Sequence, residues 1–264
     1  MMGASMDDDT RRRQRALWDR TAASLPDLYG APTTQYYRRA EIALFQRAFG
    51  DLAGKRLLKL DLWNEAINTR ILHWAQERGC HVTGMDLSGV VARRARENGR
   101  HLPLVQADIR DLPFQTGSFD LVYTMGTIEH IDEYQRAVSE VHRVLKVGGR
   151  AIIGVPHKWD LYLRPLCVQV LESMGQYLYS PEKSFSTSEL RHTVENSGLR
   201  VVQRTGLLSM PWFLRMADLF FYSRNIPLWR LSPLLTKPFE VMESAAEWPA
   251  AFRYLVAVVA EKRA

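Results

Sequence analysis

A glutamate and a histidine stand side by side, Glu129-His130, just beyond an apolar run that ends at Met125. An imidazole titrates near neutrality, which makes His130 a candidate general base with Glu129 beside it. The same histidine could instead anchor its loop. Two aspartates, Asp86 and Asp108, each follow a short apolar run. An acid at the tip of the second strand of an open α/β sheet can hold ribose hydroxyls with its two accepting oxygens. Equally, Asp86 could cap the helix that follows it, and Asp108 could sit in a turn. Lys59 and Asp61 lie two apart in Arg56-Leu57-Leu58-Lys59-Leu60-Asp61-Leu62, so on a strand their side chains share one face.

The elements that must position these groups alternate along the chain. Strands are expected at 56–62, 81–85, 104–107, 119–125 and 151–155, separated by helices at 67–78, 86–97 and 132–146. In the last helix Tyr134, Ala137, Val138, Val141, Val144 and Leu145 form one apolar stripe, and Gly148-Gly149 is expected to end it. Alternation of this kind specifies a doubly wound parallel sheet with helices on both faces. A sixth strand is expected over 199–204, after a helix that starts near Phe185 with Ser186 or Ser188 as its cap. Upstream, an acidic tip (1–9) is expected to be disordered. It leads into a helix from Thr10 to Ala23, a linker bearing proline and tyrosine, and a helix over 38–49.

The stretch from Asp108 to Pro156 carries a pattern in a fixed order: Asp108, Leu112-Pro113-Phe114, Ser118-Phe119-Asp120, Val122, Glu129-His130, Glu140, then Arg143-Val144-Leu145-Lys146 with Gly148-Gly149. In this it closely resembles class I S-adenosylmethionine (SAM)-dependent methyltransferases of the small-molecule "type 11" branch. The resemblance implies a seven-stranded Rossmann-like sheet, with Ala251–Glu261 as a seventh strand inserted antiparallel between the fifth and sixth. It implies SAM as cofactor, with Asp86 and neighbouring Leu87 at the ribose, and Asp108 and Ile109 at the adenine. Met125 and Tyr37 are also expected at the cofactor, Tyr29, Tyr36 and Tyr37 being candidate lid residues that could instead pack a helix onto the sheet. Methyl transfer is an in-line displacement that needs a positioned nucleophile and sometimes a base, the role open to His130 and Glu129.

One part of the family pattern is missing. Where the family ends its first strand with an acid and alternating glycines, this chain places Lys59 at the acid and Asp61, Trp63 and Glu65 at the glycines. Asp61 or Glu65 could receive the ammonium of SAM in a reshaped loop, leaving an enzyme of the methyl-transferring class. Alternatively Trp63 fills the methionine pocket, and the fold serves as a catalytically inactive binding or scaffold protein. An NAD-dependent oxidoreductase is disfavoured, since no G-x-G-x-x-G follows the first strand.

The organisation expected is an N-terminal helix and lid segment (1–37), then a methyltransferase domain (38–264) with cap insertions at about 157–185 and 207–248. The second insertion interleaves Trp212, Phe213, Phe220, Phe221, Tyr222, Trp229 and Phe239 with Arg215, Arg224 and Arg230. Aromatic density of this kind fits a pocket for a small hydrophobic acceptor, a cap over the sheet edge, a homodimer interface or a peripheral membrane patch. Stacking on single-stranded nucleic acid is the weakest of these readings, because no RNA-binding motif accompanies it. The 264 residues carry a net charge of +6, with 46% hydrophobic and 24% charged content, ordinary for a globular protein. Cys80 and Cys167 have no metal-ligand spacing and read as small hydrophobes in a reducing compartment, and no metal is expected. The charged start is not a secretory signal and no run suffices to span a bilayer, so a cytoplasmic location is the default.

Overall fold

A computed structural model describes residues 2–98, 102–244 and 253–264, with side chains described from residue 9 onward. Seven strands form one sheet in the order β3-β2-β1-β4-β5-β7-β6. They are β1 (Arg56–Leu60), β2 (His81–Asp86), β3 (Leu104–Gln106), β4 (Phe119–Met125), β5 (Leu145–Pro156), β6 (Leu199–Leu207) and β7 (Leu255–Lys262). Strands β1 to β5 pair in parallel, while β7 runs antiparallel between β5 and β6. This is the expected Rossmann-like methyltransferase sheet. Residues 251 and 252 of the expected seventh strand lie outside the described residues.

Strand alternation divides the core between two faces. Leu57, Leu121, Tyr123, Ile152, Ala257 and Val259 pack on one side, against Phe45 and Leu44 of α2 (Pro32–Phe49). Leu58, Val122, Ala151, Ile153, Val256 and Val258 pack on the other, against Val138 and Val141 of α6 (Tyr134–Val144). A sheet buried on both faces needs nearly continuous apolar strands, and the burial of β4 and β7 follows that rule. Lys59 shares the parity of Leu57 and therefore points its ammonium into the α2 side of this core.

Several boundaries differ from expectation for identifiable reasons. The N-terminal helix, α1, runs Met2–Ser24 and includes the stretch expected to be disordered; an Asp9–Arg13 pair at 2.7 Å, one turn apart, supports it there. Pro32 opens α2 at its first turn, where a missing N–H costs nothing, so the linker shrinks to 25–31. The helix expected over 67–78 is two short ones, α3 (Trp63–Ile67) and α4 (Ile71–Gln76), broken where Arg70 takes φ 53°. The Glu65 carboxylate accepts the Leu72 N–H at 3.2 Å, capping the second piece from inside the fold. Helix α5 (Gly89–Asn98) follows β2, and the expected stop at Gly99 lies outside the described residues. Gly148 and Gly149 do not end α6. They bend the start of β5, where the register against β4 slips between Phe119 and Leu121.

After β5 come α7 (Arg164–Ser173) and α8 (Thr187–Asn196), the latter opened by a Ser186–Glu189 capping box. After β6 come α9 (Trp212–Ser223), a short 3-10 turn at Pro227–Leu231, and α10 (Ser232–Ser244). Residues 245–248 of the second insertion lie outside the described residues.

Tight strand pairing makes one glycine indispensable. A Cβ at Gly206 on β6 would lie 2.4 Å from the Leu255 carbonyl oxygen of β7, a backbone atom that cannot step aside. Gly206→Ala is expected to lower stability by about 1–3 kcal/mol, read as a lower denaturant midpoint at unchanged slope. An unchanged midpoint would mean that β6 and β7 pair less closely than described.

Candidate active site

The carboxyl ends of β1, β2 and β4 open into a cavity of about 560 Å³. Ligands of open α/β sheets bind at this edge because the strand-to-helix loops converge there. Residues Asp61, Trp63, Asp86, Leu87, Asp108 and Ile109 line it. So do Met125, Tyr37, Glu129 and His130. Of the residues expected to hold the cofactor or do the chemistry, the lid candidates Tyr29 and Tyr36 aside, Glu65 alone is absent from the lining. It is fully buried beneath α3 as the cap of α4, which removes it as a receptor for a ligand's ammonium.

The loop after β1 keeps glycine geometry without glycine. Asp61 has φ 131°, a backbone region that side chains disfavour, at the position where the family has its first glycine. Its side chain is held on both oxygens. Lys59 Nζ donates to Oδ1 at 3.0 Å and to the Asp61 carbonyl at 2.7 Å, while the Thr127 hydroxyl donates to Oδ2 at 3.1 Å. Lys59 is completely buried. Burial works against its charge, but Asp61, Glu65 and Glu41 together outweigh that and raise its pKa, so the ammonium persists. Desolvation pushes Glu65 up to about 7 even with Lys59 at 4.0 Å.

Asp86 ties the same loop to β2. Its Oδ2 accepts the Leu62 N–H at 2.8 Å and its Oδ1 accepts the Ser88 N–H at 2.7 Å. Desolvation nonetheless raises it to about 7, the two backbone N–H groups only moderating the effect. Lone pairs remain on both oxygens for two further donors. Asp108 is more committed. Arg110 grips it through Nη2 at 2.6 Å and Nε at 2.9 Å, and Arg11 of α1 lies 3.5 Å away. An adenine amino group would therefore have to share an acceptor already bound by a guanidinium.

Trp63 opens α3 and turns its ring to an aromatic cluster. Its centroid lies 5.6 Å from Trp18 of α1 and 5.7 Å from Tyr179, which follows α7, and Trp18 lies 5.1 Å from the His130 ring. Edge-to-face pairs at these distances hold the walls of the cavity together. His130 Nδ1 stands 3.2 Å from the Pro181 carbonyl, so the neutral ring carries its proton there and leaves Nε2 as an acceptor, 3.9 Å from Glu129 Oε1. Desolvation lowers its pKa. Glu129 is pushed well up, first by desolvation and then by Glu182, and its Oε2 has no hydrogen-bond partner among the described residues. Burial favours its neutral form, and with Oε1 3.9 Å from His130 Nε2 it is Oε2 that is presented to whatever fills the cavity.

Tyr36 and Tyr29 do not reach the cavity. The Tyr36 hydroxyl donates to Glu243 at 2.7 Å and accepts from Ser209 N, deep in the core, and the Tyr29 ring stacks under Arg70. Sequence reasoning misses Gln14, Trp18, Tyr177 and Tyr179, all of which line the site. Gln14 and Trp18 are one turn apart on α1, a spacing that could have marked a shared face. Cys167 is half-buried and lines the cavity, whereas Cys80 is buried in the core. No group of three or more potential metal ligands occurs among the described residues.

Removing the buried ammonium should expose how much the loop depends on it. Lys59→Met is expected to cost about 3 kcal/mol at pH 8, where Asp61, Glu65 and Glu41 are left uncompensated, and less at pH 5, where Glu65 takes up a proton. Denaturant unfolding at the two pH values checks this. Equal losses at both would contradict the charge pairing.

Residues 66–153 match a family model described as "Methyltransferase domain". Two curated relatives are a malonyl-[acyl-carrier protein] O-methyltransferase of Enterobacter lignolyticus and a demethylmenaquinone methyltransferase of Clavibacter sepedonicus. The first is 38% identical over 29% of this chain and 30% of its own. The second is 30% identical over 48% of this chain and 55% of its own. The chain thus spans under two thirds of the length of these relatives. Among solved structures, a putative sarcosine dimethylglycine methyltransferase from Galdieria sulphuraria superposes with TM-score 0.59 at 14% identity, over 97% of this chain and 98% of that one, which speaks to fold. The strand order and this match show a Rossmann-like methyltransferase fold in which residues 66–153 carry a methyltransferase domain.

Proposed function

We propose that this protein transfers a methyl group from SAM to a small, apolar or aromatic-bearing acceptor. The observation that carries the reading is the glycine-like φ of Asp61. A chain free to abandon the cofactor loop has no reason to hold an aspartate in a conformation costing about 1–3 kcal/mol. Cavity size and donor set suit the cofactor: Asp86 offers lone pairs to ribose hydroxyls, Asp61 lies where the ammonium of the methionine part would come, and Leu87 and Ile109 supply apolar walls. SAM, when bound, supplies a methyl group on a sulfonium, open to in-line attack.

The acceptor side would be built by the insertions. Tyr177, Tyr179 and Trp212 wall the cavity opposite the sheet, with Met216 and Leu219 at its side. Such walls exclude water and orient a flat or greasy molecule, the contribution that displacement chemistry most needs from a protein. His130 is suited to accept a proton at Nε2, since it is neutral near pH 7 and its other nitrogen is held by Pro181. Neutral Glu129 can orient a polar atom of the acceptor by donating to it. The relatives, one named as an O-methyltransferase and one as a demethylmenaquinone methyltransferase, support the reaction class without choosing the atom.

The reading ties cofactor affinity to pH. The folded state raises Asp86 to about 7, so the fold favours its protonated form; its stability contribution is present in acid and lost as pH rises through 7. Ribose hydroxyls favour the carboxylate, so SAM affinity should climb roughly tenfold from pH 6 to pH 8. Asp86→Asn should weaken binding by about tenfold or more and flatten that dependence. Titration calorimetry at several pH values measures both, and unchanged affinity in the variant would remove Asp86 from the site.

A further inference from the structure

Large apolar side chains that stand exposed are not scattered over this protein. All those exposed among the described residues fall within 157–185 and 207–244, apart from Val147 and Val202. They also follow helical periodicity, with the exposed side apolar. On and around α7 the stripe is Leu163, Leu166, Val170 and Met174. On α9 it is Phe213, Met216 and Phe220, and along the 3-10 turn and α10 it is Leu228, Leu231, Leu234, Leu235 and Val241. An amphipathic helix in a globular fold normally turns such a stripe inward.

The charges on the same segments are segregated by sign. Lys158, Lys183, Arg224, Arg230 and Lys237 are exposed. Every acidic residue of these segments, from Asp160 and Glu172 to Glu240 and Glu243, is buried or half-buried. Most are already engaged: Glu182 pairs with Arg164, Asp218 accepts from Thr33, and Glu240 pairs with Arg39. What these segments turn outward is apolar and cationic, with Lys158 paired at 3.1 Å to Glu189 just past the first segment and the other four cations without an acid of these segments exposed beside them. Two copies of this surface would bring like charges together, whereas an anionic bilayer complements it. The surface is also continuous with the site, because the exposed Leu178, Met216 and Phe220 line the cavity as well. No helix among the described residues is long and apolar enough to cross a membrane, so contact would be peripheral.

We infer that the helices of the two insertions form a docking collar for an anionic lipid bilayer, through which an apolar acceptor passes into the cavity. The inference deepens the proposed acceptor class and rests on it only for what enters. Binding of SAM does not involve this surface, so a failed cofactor titration and a failed docking experiment are separate results.

Co-sedimentation of the whole protein with vesicles of phosphatidylcholine, with and without phosphatidylglycerol, tests the collar. The protein is expected to pellet with the anionic vesicles and to be released by salt. Leu166→Glu, Phe213→Glu and Leu234→Glu combined should reduce the bound-to-free ratio at least tenfold, and Arg224→Glu with Arg230→Glu should do so roughly as strongly. None of these residues touches the cofactor side, so unchanged SAM affinity shows that each variant is folded. A wild-type protein that stays in the supernatant with anionic vesicles would overturn the inference. So would folded variants that pellet as the wild type does, or a concentration-dependent dimer that hides the surface and leaves no vesicle binding.

Discussion

The structure turns on one buried charge. Lys59 sits on the second-to-last residue of β1, in the middle of the sheet and without solvent, where a lone ammonium would be untenable. Asp61 answers it from two residues on, and Glu65 and Glu41 stand behind. That pairing fixes the loop after β1, which in turn fixes where α3 begins and where Trp63 points. Thr127 after β4 completes the arrangement by donating to the other oxygen of Asp61. The first and fourth strands are thus joined at the edge where the cavity opens.

The polar groups around the cavity differ in how far the fold has already committed them. Glu65 has gone wholly to the fold as an internal helix cap, and Asp108 is largely committed to Arg110. Asp86 does both tasks, holding two backbone N–H groups while keeping lone pairs toward the cavity. Glu129 and His130 line the cavity side by side, the first with Oε2 unpartnered among the described residues and the second with Nε2 3.9 Å from Glu129 Oε1. The aromatic cluster of Trp18, Trp63 and Tyr179 draws α1, α3 and the first insertion together around these groups. Its members come from three distant parts of the chain.

That distance explains what could be read from the sequence. The sheet was legible because strands buried on both faces leave runs such as Phe119–Met125, and because α6 shows its stripe with helical spacing. Asp86, Asp108, Glu129 and His130 stand out as candidates because each lies at or just past the end of a strand, where chain position and spatial position coincide. Glu65 misled for the same reason: its place in the chain adjoins the loop, yet the break at Asn68–Arg70 turns its carboxylate inward to Leu72. Spacing could mark Trp18 as sharing a face with Gln14, but not its meeting with Tyr179, which depends on how α1 and the insertion pack. The positive φ at Asp61 was equally hidden. No residue type announces a glycine conformation held by a buried lysine.

If the loop without glycines, braced by Lys59 and Asp61, receives SAM as proposed, calorimetric titration of the purified protein with SAM, and separately with its demethylated product, gives micromolar affinity for both. A folded protein showing no heat of binding up to millimolar SAM would contradict it, and would leave the fold as a scaffold that has lost its cofactor.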